Sequence, residues 1–189
     1  MLNAGAGWED ISVLVPGEVV NLDLPTEHEW RTDIHLRASL DAIPVADGSF
    51  DAAVCLSVLE HVRDPDDAIR EMHRVIRPGG LRILDMPFMQ PEHMCPCDFQ
   101  RYTRDGLARA AERAGFAVES ITPQQNIYVT LYWICWEWLH ARPRRPLHVF
   151  ARPFLLWPLL WRAKRSSTRS PVLASAFQLV ATKPPAGGK

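Results

Sequence analysis

Two glycines and a carboxylate near the start of the chain have the spacing of a ligand-binding turn. Asn3-Ala4-Gly5-Ala6-Gly7 follows a short apolar stub, and Asp23 closes the next apolar stretch, 18 residues after Gly5. Glycines in such a turn permit positive φ and a close approach of backbone to ligand. A carboxylate at the end of the neighbouring strand can accept hydrogen bonds from both hydroxyls of a ribose. Two cofactor classes share that geometry. A dinucleotide site wants Gly-x-Gly-x-x-Gly, but Asp10 stands at the third glycine position, where an acid repels a pyrophosphate. A cationic sulfonium cofactor without phosphate meets no such objection.

The surrounding pattern supplies the elements that would hold this turn. Residues 18–24 (EVVNLDL) alternate in polarity, and residues 50–57 (FDAAVCLS) are almost continuously apolar, as in a strand covered on both faces. Asp64 as N-cap, Pro65 at the first helical position and Asp66 and Asp67 beside it predict a helix start. Ala68, Ile69, Met72, Val75 and Ile76 form its apolar stripe, and residues 77–80 (RPGG) end it. Residues 81–88 read as a strand and 89–102 as a loop. Thr103 caps a helix with Leu107, Ala110, Ala111 and Ala114 inward, closed by Gly115, and strands follow at 116–121 and 176–183. This alternation predicts one α/β domain over 1–189, a Rossmann-like, doubly wound, mostly parallel sheet with helices on both faces and a truncated first strand. We expect the chain to have a shortened start, since only Met1 and Leu2 precede the turn.

Residues 43–80 (IPVADGSFDAAVCLSVLEHVRDPDDAIREMHRVIRPGG) resemble the class I S-adenosylmethionine-dependent methyltransferases, type 11-like, in the group that includes quinone-biosynthesis enzymes. That family shows Leu-Pro-Phe-x-Asp-Gly-Ser-Phe-Asp, then Val-Leu-Glu-His-Val, then Glu-x-x-Arg-Val-Leu-Arg-Pro-Gly-Gly. Residues 91–116 resemble a subgroup with Pro-x-His-x-x-Pro-His-Asp-Phe-x-Arg-Tyr-Thr, which is associated with surface-glycan or lipid-linked acceptors. The resemblance implies S-adenosyl-L-methionine as cofactor. It places Asn3, Ala4, Gly5 and Gly7 along the methionine and ribose, Asp23 on the ribose hydroxyls, and Leu24 against adenine. Ser39 and Leu40 approach the adenine edge, and Ser57 faces the cofactor below the transferred methyl. This chain departs from the pattern at Asn3, where an acid is usual, at Glu9, where a third glycine is usual, and at Ser39, where an aspartate is common.

Methyl transfer from a sulfonium is an in-line displacement that needs positioning above all. A hydroxyl acceptor also needs a base. His61 and His93 are the candidates, with Asp98 and Tyr102 as orienting groups. Glu60 and His61 alone make a poor metal site, and His93, Cys95 and Cys97 lack the Cys-x-x-Cys spacing of zinc sites, so no metal is expected. The four cysteines are scattered and no signal pattern leads the chain, which predicts a reducing, cytoplasmic compartment.

The carboxy-terminal third differs in kind. All 22 acids lie within residues 1–140, whereas residues 141–189 hold ten Lys and Arg and no acid. Residues 127–140 and 149–161 carry five of the seven tryptophans, each stretch is too short to span a bilayer, and Pro153 and Pro158 interrupt the second. We expect residues 122–170 to be a helical insertion. Its aromatic side chains, with Arg142, Arg144, Arg145, Arg162, Lys164 and Arg165, would meet an anionic membrane surface through 127–165, at the inner membrane face. Packing into the core or an oligomer is the competing reading. Nucleic acid is disfavoured, because it would require these aromatics in a groove. The functional expectation is methyl transfer to a small-molecule or lipid-linked acceptor. The alternative is a non-catalytic binding or scaffold protein of the same fold, or a shortened inactive form.

Overall fold

A computed structural model of the chain describes residues 1–8, 10–25, 33–93, 97–141 and 146–185, with backbone alone for 146–151. Glu9, Cys95, Arg142, Arg144 and Arg145, all singled out from sequence, lie outside the described residues.

Seven strands form one sheet in the order β3-β2-β1-β4-β5-β7-β6. They are β1 (Leu2–Ala4), β2 (Val20–Asp23), β3 (Leu36–Arg37), β4 (Phe50–Leu56), β5 (Ile76–Pro87), β6 (Ala117–Gln124) and β7 (Ala176–Thr182). The pairs from β3 through β5 are parallel, and β7 runs antiparallel to both β5 and β6. The mostly parallel, Rossmann-like sheet expected from the alternation is therefore present. Although β1 is three residues long, it pairs on both sides, Leu2 with Val20 and with Ala53. Leu2 and Ala4 are fully buried in the main core with Leu22, Ala53 and Leu84. Chain order reverses between β1 and β4, so the crevice beyond their carboxyl ends is the switch point of this sheet.

Helix α1 (Pro65–Val75) buries Ala68, Ile69, Met72 and Val75, the stripe read from sequence. Its start is built differently from the expected cap. Asp64 occupies the N-cap position, but its side chain makes no capping bond. The Asp64 carbonyl accepts from the Asp67 and Ala68 N–H groups, while the Asp66 carboxylate turns outward to Arg113 (2.7 Å) of helix α2 (Arg104–Arg113). The end of α1 also differs. Ile76 is already extended and begins β5, so Arg77 to Gly80 form an irregularity between the Phe50–Ile76 and Ala52–Leu81 pairs. Gly80 is required there, because a Cβ would lie 2.4 Å from Ile76 Cγ2 and 2.7 Å from the Asp51 carbonyl. For α2 the expected cap is present, with Thr103 Oγ1 accepting from the Gly106 N–H at 3.2 Å.

Helices α3 (Ile127–His140) and α4 (Pro146–Arg165) form a hairpin between β6 and β7. Pro153 and Pro158 do not interrupt α4, which runs through both. Proline's fixed φ suits a helix, and its loss is the one N–H it cannot donate and the crowding of the preceding turn. Asn126 joins the two helices: its Oδ1 caps α3 at Tyr128 and Val129, and its Nδ2 donates to the carbonyls of Ala163 (2.9 Å) and Ser166 (2.8 Å) at the end of α4. Among the described residues, no helix is long and apolar enough to cross a membrane.

Candidate active site

Asp23 organises the glycine turn. Its carboxylate accepts from the Gly7 N–H (2.8 Å) and from the Leu24 N–H (2.8 Å), while the Gly5 and Ala6 N–H groups both reach the Leu22 carbonyl at 2.9 Å. An ionised carboxylate has about four lone-pair sites, so two remain for hydroxyls. Gly5 has φ +75° and a Cβ on it would lie 2.5 Å from Val58 Cγ1, so the turn packs directly on the segment after β4. Gly7 also has positive φ and opens onto free space.

Leu24 stands 52% exposed beside Asp23, an apolar surface at the mouth of the crevice. Ser39 is half-buried and Leu40 is buried in the core. The side chain of Ala4 also faces the core, which leaves its backbone as the part available to a ligand. Asn3 is committed inward: its amide donates to Asn21 Oδ1 (3.0 Å), and Asn21 donates to the Asp33 carboxylate (3.0 Å). Ser57 follows β4 with φ +52°, a strained conformation for a residue with a side chain, and is exposed with its hydroxyl 3.5 Å from Asp85 Oδ1.

A second cluster follows along the chain. A 3-10 turn over Leu59–His61 leaves β4, and residues 97–102 are fastened to it. The Phe99 N–H donates to the Glu60 carbonyl (2.7 Å), and the Gln100 amide donates to the carbonyls of Leu59 and Val62 (both 3.1 Å). This brings His93 to His61, ring against ring at 5.3 Å, with Glu60 between them. Glu60 Oε1 lies 3.5 Å from His93 Nε2 and 3.8 Å from His61 Nε2. Glu60 is fully buried, and neither of its carboxylate oxygens has a hydrogen-bond partner on another described residue. Burial pushes its carboxyl above the usual range, against the pull of its own backbone N–H, His61, His93 and Arg101.

Asp98 and Arg101 brace the cluster. Asp98 is paired with Arg101 through both oxygens and accepts from the His93 backbone N–H at 2.8 Å. The Arg101 guanidinium holds the Asp98 carboxyl down at about 2. Arg101 also donates to the Pro91 carbonyl (3.2 Å). Trp133 of α3 covers His93 with ring centroids 5.5 Å apart. Of the residues expected to act on an acceptor, His61, His93 and Asp98 therefore meet. Tyr102 does not join them. Its ring packs on the core beside Gly106, and burial and the Asp66 charge raise its phenol. Sequence reasoning missed Arg101 and Trp133, and it gave Glu60 no place at the centre. The adjacent letters Glu60-His61 and the motif around His93 were visible, but 32 residues separate the histidines and only the fold joins them.

Residues 3–84 match the family model described as a methyltransferase domain. A 37.1 kDa protein of transposon TN4556 from Streptomyces fradiae is 32% identical over 56% of this chain and 34% of its own length. The ubiquinone/menaquinone biosynthesis C-methyltransferase UbiE of Hahella chejuensis is 45% identical over 34% of this chain and 26% of its own. This chain thus spans about a third or less of the curated relatives it matches. Among solved structures, the [4+2]-cyclase SpnF superposes with a TM-score of 0.61 at 16% identity, over 97% of this chain and 74% of that one. The methyltransferase-domain match is confined to residues 3–84, the part of the chain that carries β1, β4, α1 and the glycine turn. S-adenosylmethionine fits the residues at the switch point: an exposed leucine for adenine, a carboxylate with spare lone pairs for ribose, and a glycine turn with room beside it.

Proposed function

We propose that the chain transfers a methyl group from S-adenosylmethionine to a hydroxyl-bearing small-molecule or lipid-linked acceptor held between the glycine turn and the Glu60–His61–His93 cluster. The observation that carries this reading is the presence of Gly5, Asp23 and Leu24 at the switch point and of a histidine pair beyond it, His61 in the turn after β4 and His93 in the loop after β5. When bound, the cofactor supplies an activated methyl on a positively charged sulfur. Asp23 would hold the ribose hydroxyls, Leu24 would pack on adenine with Ser39 near its edge, and Ser57 would line the wall below the methyl. His61 would take the acceptor's proton at Nε2, since its Nδ1 faces the Cys97 carbonyl at 2.5 Å and so carries the ring's own proton.

The lipid-linked half of the proposal is supported by the α3–α4 hairpin. Phe154 (83% exposed), Trp157 (67%) and Trp161 project from α4, and Arg162, Lys164 and Arg165 follow them with no acid on the same helix. Such a face suits an anionic lipid surface, with apolar rings in the headgroup layer and cations on phosphate. Since Trp133 of the same hairpin lies on His93, a docked hairpin would bring the lipid surface beside the acceptor cluster.

The test is label transfer from tritium-methyl S-adenosylmethionine to acceptors in anionic vesicles made from a bacterial lipid extract. Label in the lipid fraction, lost in His61→Ala, is the expected result. Cofactor binding without label in lipid or aqueous acceptors would favour the non-catalytic alternative, and the cyclase name of one structural neighbour shows that this fold serves other reactions.

A further inference from the structure

We infer that Glu60, His61 and His93 form a three-ligand site for a divalent transition-metal ion. Sequence offered only the Glu60–His61 pair; the fold adds the third donor. One ligand atom from each residue lies within 4.8 Å of the others, and no other such trio of His, Cys, Asp and Glu occurs among the described residues.

Three observations carry the assignment. The first is spacing. Zinc binds imidazole nitrogen and carboxylate oxygen at about 2.0–2.2 Å, which puts neighbouring ligand atoms about 3.4 Å apart at tetrahedral angles. The Glu60 Oε1 contacts of 3.5 and 3.8 Å are close to that separation, and the longer one is beyond a direct hydrogen bond. The second is the orphaned carboxylate. A fully buried carboxyl with no partner on another described residue is costly, and a cation held with the two histidines would satisfy it. The third is the outer support. His61 Nδ1 donates to the Cys97 carbonyl (2.5 Å), and His93 Nδ1 faces the Pro91 carbonyl (3.2 Å). The Cys97 contact puts the proton on His61 Nδ1 and leaves its Nε2 lone pair toward Glu60. His93 Nδ1 lies between the Pro91 carbonyl and the Arg101 guanidinium (3.4 Å), and in the tautomer that donates to Pro91 its Nε2 lone pair also faces Glu60.

The nearby positive charge does not oppose this, since Arg101 is doubly paired with Asp98. Two histidines and a glutamate suit zinc or a similar borderline ion, not calcium or magnesium, which prefer oxygen. Three protein donors leave a position open. With a metal on its Nε2, His61 would no longer serve as the base. The ion would instead acidify an acceptor oxygen in the open position, its proton passing to solvent, a step that rests on the methyl-transfer reading above, whereas the metal site does not.

Cobalt(II) chloride titrated into the chelator-treated full chain, followed by visible absorbance and then displaced by zinc chloride, tests the site. One saturable equivalent with the intensified bands of a low-coordinate ion is expected. Binding should be at least tenfold weaker in His93→Ala and in the isosteric Glu60→Gln. Zinc should raise Tm in the parent chain alone. No saturable binding by the folded parent chain would overturn the inference, as would unchanged affinity in both variants. S-adenosylhomocysteine titration of the same samples separates the two claims. Homocysteine-nucleoside binding without cobalt binding ends the metal site alone, and the reverse ends the cofactor reading alone.

Discussion

Gly5 shows how narrowly a single position is determined. Its backbone lies at φ +75°, and any Cβ would meet the Val58 side chain at 2.5 Å. Gly5→Ala therefore incurs both a left-handed strain and a clash. We expect a loss of roughly 1–3 kcal/mol in unfolding free energy by urea titration, together with a clear loss of cofactor affinity, because the turn must shift. His73 gives the pH counterpart. Burial first, then the charges of Lys183 and Arg82, hold its pKa below 6.5. The unfolded chain therefore takes up the proton before the folded one does. Stability from this group is complete above pH 6.5 and lost as pH falls from there through the depressed value. Between pH 7.5 and 5.5, thermal unfolding should show a smaller drop in Tm for His73→Gln than for the parent chain. The turn residues were legible in sequence because glycine spacing reports backbone geometry directly. The inward commitment of Asn3 was not, since it depends on its register opposite Asn21.

At the scale of elements, the hairpin depends on Asn126, one side chain that serves both helices. Removing it strips the Tyr128 N–H of its cap, leaves the Val129 N–H only the Asn126 backbone carbonyl, and frees the Ala163 and Ser166 carbonyls at the end of α4. Asn126→Ala should cost about 1–3 kcal/mol, seen as faster hydrogen exchange in the first turn of α3. Periodicity revealed α1, and composition bounded the apolar stretches of the hairpin. The passage of α4 through Pro153 and Pro158 ran against the local signal, because tertiary packing against α3 outweighs two missing donors. The start of β5 at Ile76 was hidden for a similar reason: pairing with Phe50 draws the end of α1's apolar stripe into the sheet.

In the whole molecule, the acidic first part and the basic, aromatic hairpin divide the work proposed here between a cofactor crevice and a lipid-facing surface. Flotation with phosphatidylcholine vesicles and with vesicles carrying anionic lipid checks that division. Binding should be confined to the anionic vesicles, fall with added salt, and be lost in the double variant Phe154→Ser, Trp157→Ser. Equal behaviour of parent and variant would assign those side chains to another role. The methyltransferase-domain likeness of residues 3–84 and the sheet were readable because long motifs sit on consecutive elements. The Glu60–His61–His93 cluster was not, because Glu60 and His93 lie on separate segments that the Gln100 and Phe99 bonds fold together.

The central claim is that the switch-point crevice binds S-adenosylmethionine. Calorimetric titration of S-adenosylhomocysteine into the full chain, with Asp23→Ala beside it, measures this most directly. One site of micromolar affinity, lost in Asp23→Ala while circular dichroism shows the variant folded, is the expected result. Absence of binding by the folded parent chain, or equal affinity in Asp23→Ala, would contradict it.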